Sequence, residues 1–138
     1  MWRTLLLAIA LAGCAPLPPD PQYAQTMQIQ SASDKAVIYV VRNDPDLNWR
    51  PATLLLDARS TVTTFPGTYF RWEVPPGPHL IAGYASDNGR IELNTEPGKV
   101  YFVWQIVMGF RTPSSNLQRV SEQDGRAVAM RGQAIAIQ

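Results

Sequence analysis

The sequence predicts an all-β protein, an antiparallel β-sandwich of about seven short strands. Three observations lead there. Apolar and β-branched residues fall in short runs of strand length rather than in helical periods. Twelve prolines and nine glycines interrupt 138 residues at close intervals, which suits many short strands better than long helices. Residues 68–74, TYFRWEV, alternate as a half-buried strand does, with Phe70, Trp72 and Val74 on one side and Tyr69, Arg71 and Glu73 on the other.

The elements follow in order. Residues 36–42, AVIYVVR, are too short for a helix and continuously apolar until the final arginine, which predicts a central strand buried on both faces. Residues 43–51, NDPDLNWRP, break all periodicity and form a loop that carries Trp49. Residues 53–57 and 60–65 are two short strands joined through Asp57-Ala58-Arg59. Pro66-Gly67 turns the chain into residues 68–74. Pro75-Pro76-Gly77-Pro78 is expected to close a hairpin, because proline lacks a donor and Gly77 can take a positive φ. The returning arm holds Leu80, Ile81 and Tyr84. Asn88-Gly89 predicts a type I′ turn into a strand over residues 90–95, with Ile91 and Leu93 facing the core. After Glu96-Pro97-Gly98, residues 99–107, KVYFVWQIV, read as a second central strand. A loop over 108–116 precedes a short strand at 117–120. Ser121 and Asp124 have capping-box spacing, which places a C-terminal helix at about residues 122–131, with Gly125 as a weak point.

The N-terminal residues give an address. Met1-Trp2-Arg3-Thr4 is a short basic start, and residues 5–12 form an apolar run far shorter than the about 20 residues of a membrane span. Leu11-Ala12-Gly13-Cys14 is similar at all four positions to the lipobox of bacterial lipoproteins. The expected organisation is therefore a signal peptide at 1–13, a lipidated Cys14 with a proline-rich tether to residue 34, and a sandwich domain with a C-terminal extension over 35–138. Cys14 is the only cysteine, so no disulfide forms within the chain. The resemblance to lipoproteins implies diacylglyceryl and acyl (palmitate-type) groups on Cys14 and no other cofactor. Multiple acyl chains anchor stably to a membrane. Because Ala15, not aspartate, follows the cysteine, it also implies the periplasmic face of the outer membrane.

Removing residues 1–13 takes away Arg3 and no acid, which leaves eleven basic against eleven acidic residues. A neutral domain without a basic cluster has no electrostatic footprint for nucleic acid.

The lipobox, KAVIYVVR, GTYFRWEVPPGPHLI and EPGKVYFVWQ together resemble the small bacterial lipoproteins grouped as domain of unknown function 2846, over about residues 35–120. The strongest marks are Val74-Pro75-Pro76-Gly77 followed by His79, and Pro97-Gly98-Lys99 followed by Tyr101-Phe102. The resemblance implies a prealbumin- or immunoglobulin-like sandwich and supplies no catalytic residue.

Candidate chemistry is sparse. His79 is the only histidine, and no second imidazole or free thiol exists to complete a triad or a zinc site. Its simple reading is a strand residue hydrogen-bonded to backbone or solvent. Glu73 and Glu92 each follow an arginine by two residues, which suggests cross-strand ion pairs on a solvated face rather than a carboxylate pair for acid and base work. Phe70, Trp72, Tyr101 and Phe102 read as core. Trp49 and Phe110 lie in loops, where they either fold back onto the sandwich end or, with Arg50, anchor a partner. No catalytic residue and no metal ligand is assigned. The expected function is a non-catalytic, lipid-anchored envelope module that binds a protein, glycan or lipid. The alternative is a small-ligand carrier or envelope hydrolase with a pocket near His79.

Overall fold

Strand β1 (Ala36–Arg42) is buried along its whole length, as its unbroken apolar run predicts. Ala36, Ile38 and Val40 face a second sheet, whereas Val37, Tyr39 and Val41 belong to the cluster beneath a helix. The computed structural model describes residues 34–138, so the expected signal peptide, the lipidated Cys14 and the tether lie outside the described residues. The other elements are β2 (Ala52–Leu56), β3 (Ser60–Thr64), β4 (Thr68–Val74), β5 (Gly77–Gly83), β6 (Arg90–Thr95), β7 (Val100–Met108), β8 (Ser114–Val120), α1 (Glu122–Ala129) and β9 (Gln133–Ala134).

These form a sandwich. One sheet has the order β8-β7-β1-β4-β9 and the other β3-β2-β5-β6. Leu54, Leu56, Val62, Phe70, Ile81 and Val103 fill the space between them. Helix α1 covers the outer face of the five-stranded sheet over Tyr39, Tyr69 and Phe102, which explains why β1 and β7 are apolar on both sides. Tyr39 stacks on Phe102 at 5.1 Å. Burial raises the Tyr39 phenol above its ordinary pKa, against a smaller opposing pull from Arg71.

Four details depart from the sequence reading. The five-stranded sheet is mixed, because β1 pairs with β7, and β4 with β9, in parallel. Both β1 and β7 enter the sheet at the same pole, where Gly98 N donates to Lys35 O at 2.8 Å. Pro75-Pro76 is not a hairpin turn. β4 pairs with β1 and β5 pairs with β2 and β6, so the two prolines, which cannot donate to a ladder, carry the chain across from one sheet to the other. Asn88-Gly89 is not the positive-φ turn either, since Ala85 takes that conformation (φ 57°). Gly89 is required there because a Cβ would overlap the Ser115 carbonyl oxygen. Finally, Trp72 is only partly buried at the margin of the core.

The C-terminal extension is built into the sandwich. Ser121 caps α1 by accepting from Asp124 N at 3.1 Å. After β9, Ile135 N donates to Tyr69 O (2.9 Å) and Gln138 N to Thr61 O (2.8 Å), so the tail straps the β4 edge to the β3 edge. Ile135 and Ile137 pack on the core as it crosses.

Gly125, a weak point by helix propensity, is the point of closest approach. A Cβ at this position would overlap the Phe102 ring. In an exposed helix Gly→Ala stabilises by about 1 kcal/mol, whereas overpacking a filled interior costs about 1–3 kcal/mol. Gly125→Ala should therefore lower the melting temperature. An unchanged or raised melting temperature would mean that α1 does not rest on Phe102.

Candidate functional site

The strongest candidate lies at the end of the sandwich where β1 leaves the sheet. Arg42 continues the inward path of the strand and is 1% exposed. A guanidinium is held in such a place only when its charge and its donors are matched. Nε donates to Asp46 Oδ2 at 2.6 Å, Nη1 donates to Thr64 O at 3.1 Å, and Nη2 donates to Asn48 O. Asp46 is buried with it and accepts two further bonds, from Val107 N (3.1 Å) and Leu47 N (2.7 Å). The pair thus folds residues 43–48 down onto the end of β7.

A ladder of buried polar groups extends from this pair through both sheets. Thr64 Oγ1 lies 2.7 Å from Gln105 Oε1, Gln105 Nε2 donates to Ser115 Oγ at 3.0 Å, and Ser115 Oγ donates to Asp87 Oδ2 at 2.6 Å. Asp87 Oδ1 accepts from Ser115 N at 2.7 Å and Gly89 N at 2.9 Å. The β1–β2, β5–β6 and β7–β8 connections therefore share one hydrogen-bonded base.

Above that base two loops meet. Asn48 Nδ2 donates to Gly109 O, Asn48 Oδ1 accepts from Arg50 N at 2.9 Å, and Arg50 Nη1 donates to Arg111 O at 3.1 Å. The apolar side chains of these loops point away from the protein. Leu47 is 76% exposed, Trp49 77% and Phe110 94%. Trp49 and Phe110 therefore do not fold back onto the sandwich end, because the space beneath them is already filled by Arg42, Asp46 and Asn48. A shallow cleft of about 280 Å³ lies between the loops, lined by Leu47, Asn48, Trp49, Arg50, Gly109 and Phe110. The Arg50 guanidinium stands 5.7 Å from the centre of the Trp49 ring.

Trp49, Arg50 and Phe110, singled out from sequence, are thus brought to one surface although the loops are about sixty residues apart. Sequence reasoning missed Leu47, Arg111 and the Arg42–Asp46 base. A signal for the base was present, an arginine closing a buried strand with an aspartate four positions on.

His79 lies at a separate place. Its ring is buried, with Nδ1 2.7 Å from Asp57 Oδ2 and Nε2 2.7 Å from Pro75 O. Leu80 N donates to Asp57 Oδ1 at 2.8 Å, and the Trp72 ring meets the imidazole edge-on at 5.4 Å. His79, Asp57, Trp72 and Pro75 border a cleft of about 480 Å³ that also touches Arg59, Ser60 and Glu73. Both ring nitrogens thus lie within hydrogen-bond distance of oxygen atoms of the protein.

The two glutamates are not brought together, since Glu73 is on β4 and Glu92 on β6, in different sheets. Their arginine partners lie along the same strand rather than across it, Arg71–Glu73 at 3.2 Å and Arg90–Glu92 at 2.7 Å. At the turn before β7, the bond from Lys99 holds the exposed Glu96 carboxyl below its ordinary pKa and raises the lysine. Among the described residues no three His, Cys, Asp or Glu side chains gather as a metal site, and no helix is long and apolar enough to cross a membrane.

No family model, curated protein or solved structure matches the chain.

Removing one partner of a buried, hydrogen-bonded ion pair costs about 3–5 kcal/mol. Asp46→Ala should cost that much in chemical denaturation and should raise hydrogen exchange at Leu47 and Val107. A loss below about 1 kcal/mol, typical of a surface pair, would mean that Asp46 does not hold the loop.

Proposed function

We propose that the chain is a lipid-anchored module of the bacterial cell envelope that binds a partner through the paired loops and catalyses no reaction itself. The observation that carries this reading is the exposure of Leu47, Trp49 and Phe110 above a fixed polar base. Large aromatic side chains left in water on ordered loops serve no packing purpose, and tryptophan and arginine are enriched among the residues that dominate binding interfaces. The neutral mature charge leaves contact chemistry rather than a broad field to define the partner.

The anchor is inferred from the lipobox around Cys14, and the outer membrane, periplasmic face, from Ala15 after it. The resemblance to domain of unknown function 2846 is in keeping with this assignment. A hydrolase or carrier centred on His79 is the weaker reading, because Asp57 and Pro75 occupy both ring nitrogens.

Mass spectrometry of the membrane-extracted protein should show an N-terminal Cys14 carrying acyl groups. An intact Met1, or an unmodified mature chain, would remove the anchor from the assignment.

The loop surface is tested separately. Trp49→Ala and Phe110→Ala should leave the melting temperature nearly unchanged, since neither ring packs on the core. Capture of envelope material by the protein should weaken by about 2 kcal/mol or more for Trp49→Ala, the loss typical of an interface hot spot. Full capture by both variants would remove this surface from consideration.

A further inference from the structure

We infer that the loop surface docks on a lipid bilayer, inserting Leu47, Trp49 and Phe110 at the headgroup boundary while Arg50 and Arg111 meet anionic headgroups. The inference rests on the binding role proposed above and assigns the chemistry of the partner.

Shape is the first ground. The three apolar side chains stand at the tips of two loops, each more than three-quarters exposed. They project as separate points beside a shallow cleft, a form suited to entering a soft, disordered phase. Tryptophan, phenylalanine and leucine flanked by basic residues are the composition of segments that lie in a membrane interface.

Charge is the second. Arg50 and Arg111 are both exposed on these loops. Arg50 uses one nitrogen on the Arg111 carbonyl and forms no ion pair among the described residues, and Arg111 likewise has no carboxylate partner there. The acids of the β1–β2 loop are placed elsewhere. Asp46 is buried against Arg42, and Asp44 sits at the start of the loop against Gly67. The tip thus presents two cations and three apolar side chains to whatever it meets, which complements an anionic headgroup layer above acyl chains.

Reach is the third. Lys35 and the loop surface lie at opposite ends of β1, whose seven residues span about 23 Å at about 3.3 Å per residue. Twenty residues separate Cys14 from Lys35, with an extended reach of about 66 Å. A chain held at Cys14 is long enough to pass the height of the domain and let the opposite end return to the same bilayer.

The test uses the full chain as extracted from membranes, placed in phosphatidylethanolamine vesicles containing phosphatidylglycerol, with lipids brominated in the acyl chain. The Trp49 signal is the difference between the wild type and Trp49→Phe. It should be strongly quenched by the brominated lipid and shielded from acrylamide in the water. The double variant Leu47→Ser/Phe110→Ser should lose most of that quenching with an unchanged melting temperature. Arg50→Gln/Arg111→Gln should lower the docking equilibrium constant on phosphatidylglycerol vesicles by about fivefold per charge, and much less on purely zwitterionic ones.

A Trp49 signal that brominated lipid leaves unquenched and acrylamide reaches freely would overturn the inference. So would equal quenching in the wild type and in Leu47→Ser/Phe110→Ser. If Trp49→Ala nevertheless lost capture of an envelope protein, the binding role of the loops would stand and the partner would be that protein. If capture were also unaffected, both the lipid assignment and the binding role would fall.

Discussion

The buried pair of Arg42 and Asp46 is the interaction on which the loop end of the sandwich depends. β1 needs an end, and a strand buried on both faces normally ends at a turn residue in water. Here it ends on a guanidinium held inside the protein. Each donor that Arg42 places inside must find an acceptor, and the acceptors come from the following loop (Asp46, Asn48) and from β3 (Thr64). The loop is therefore shaped from below. It is drawn inward through the Asp46 carboxylate and the Asn48 carbonyl, and the alternate side chains Leu47 and Trp49 are turned outward.

That geometry accounts for exposure that local sequence alone does not explain. Leucine and tryptophan in a loop can bury themselves when the end of a sandwich has room. At this end the room is taken by a polar network whose members, Thr64, Gln105, Ser115 and Asp87, are buried and mutually bonded. A buried network of this kind is unfavourable when partly satisfied and rigid when complete. Its completeness here makes the base of both loops a fixed support, so the exposed tips are presented rather than frayed.

The fold was largely legible because its strands obey one-dimensional rules. β1, β4 and β6 begin and end where alternation and turn chemistry place them, and the Ser121 cap announces α1. What was not legible depends on contacts distant in sequence. Nothing local reveals that Pro75-Pro76 crosses between sheets, because the alternative hairpin has the same turn chemistry and loses only to the pairing of β4 with β1. Gly89 looked like a turn glycine and is instead a contact with Ser115 on β8. Gly125 looked like a helix defect and is the seat of Phe102. In each case the residue type signalled a special backbone need, and only the partner across the fold showed which one. The same holds for the site. Trp49, Arg50 and Phe110 were visible as residues without a sheet face, whereas the support that turns them outward was hidden in an arginine that ends an apolar run.

The two ends of the domain differ in what they leave unsatisfied, and this separates the two functional readings. Around His79 the polar atoms satisfy one another: imidazole with Asp57 and Pro75, and Asp57 with the backbone of Leu80. A ligand that reaches the imidazole there must displace the Pro75 carbonyl from Nε2, while Asp57 holds Nδ1. At the loop end the polar atoms of the base are also satisfied, but the apolar surface above them is not. Water is a poor solvent for that surface, and no described residue covers it. The loop end has thus completed its internal bonding and still leaves large apolar side chains outside, and this contrast is what supports the proposed binding role.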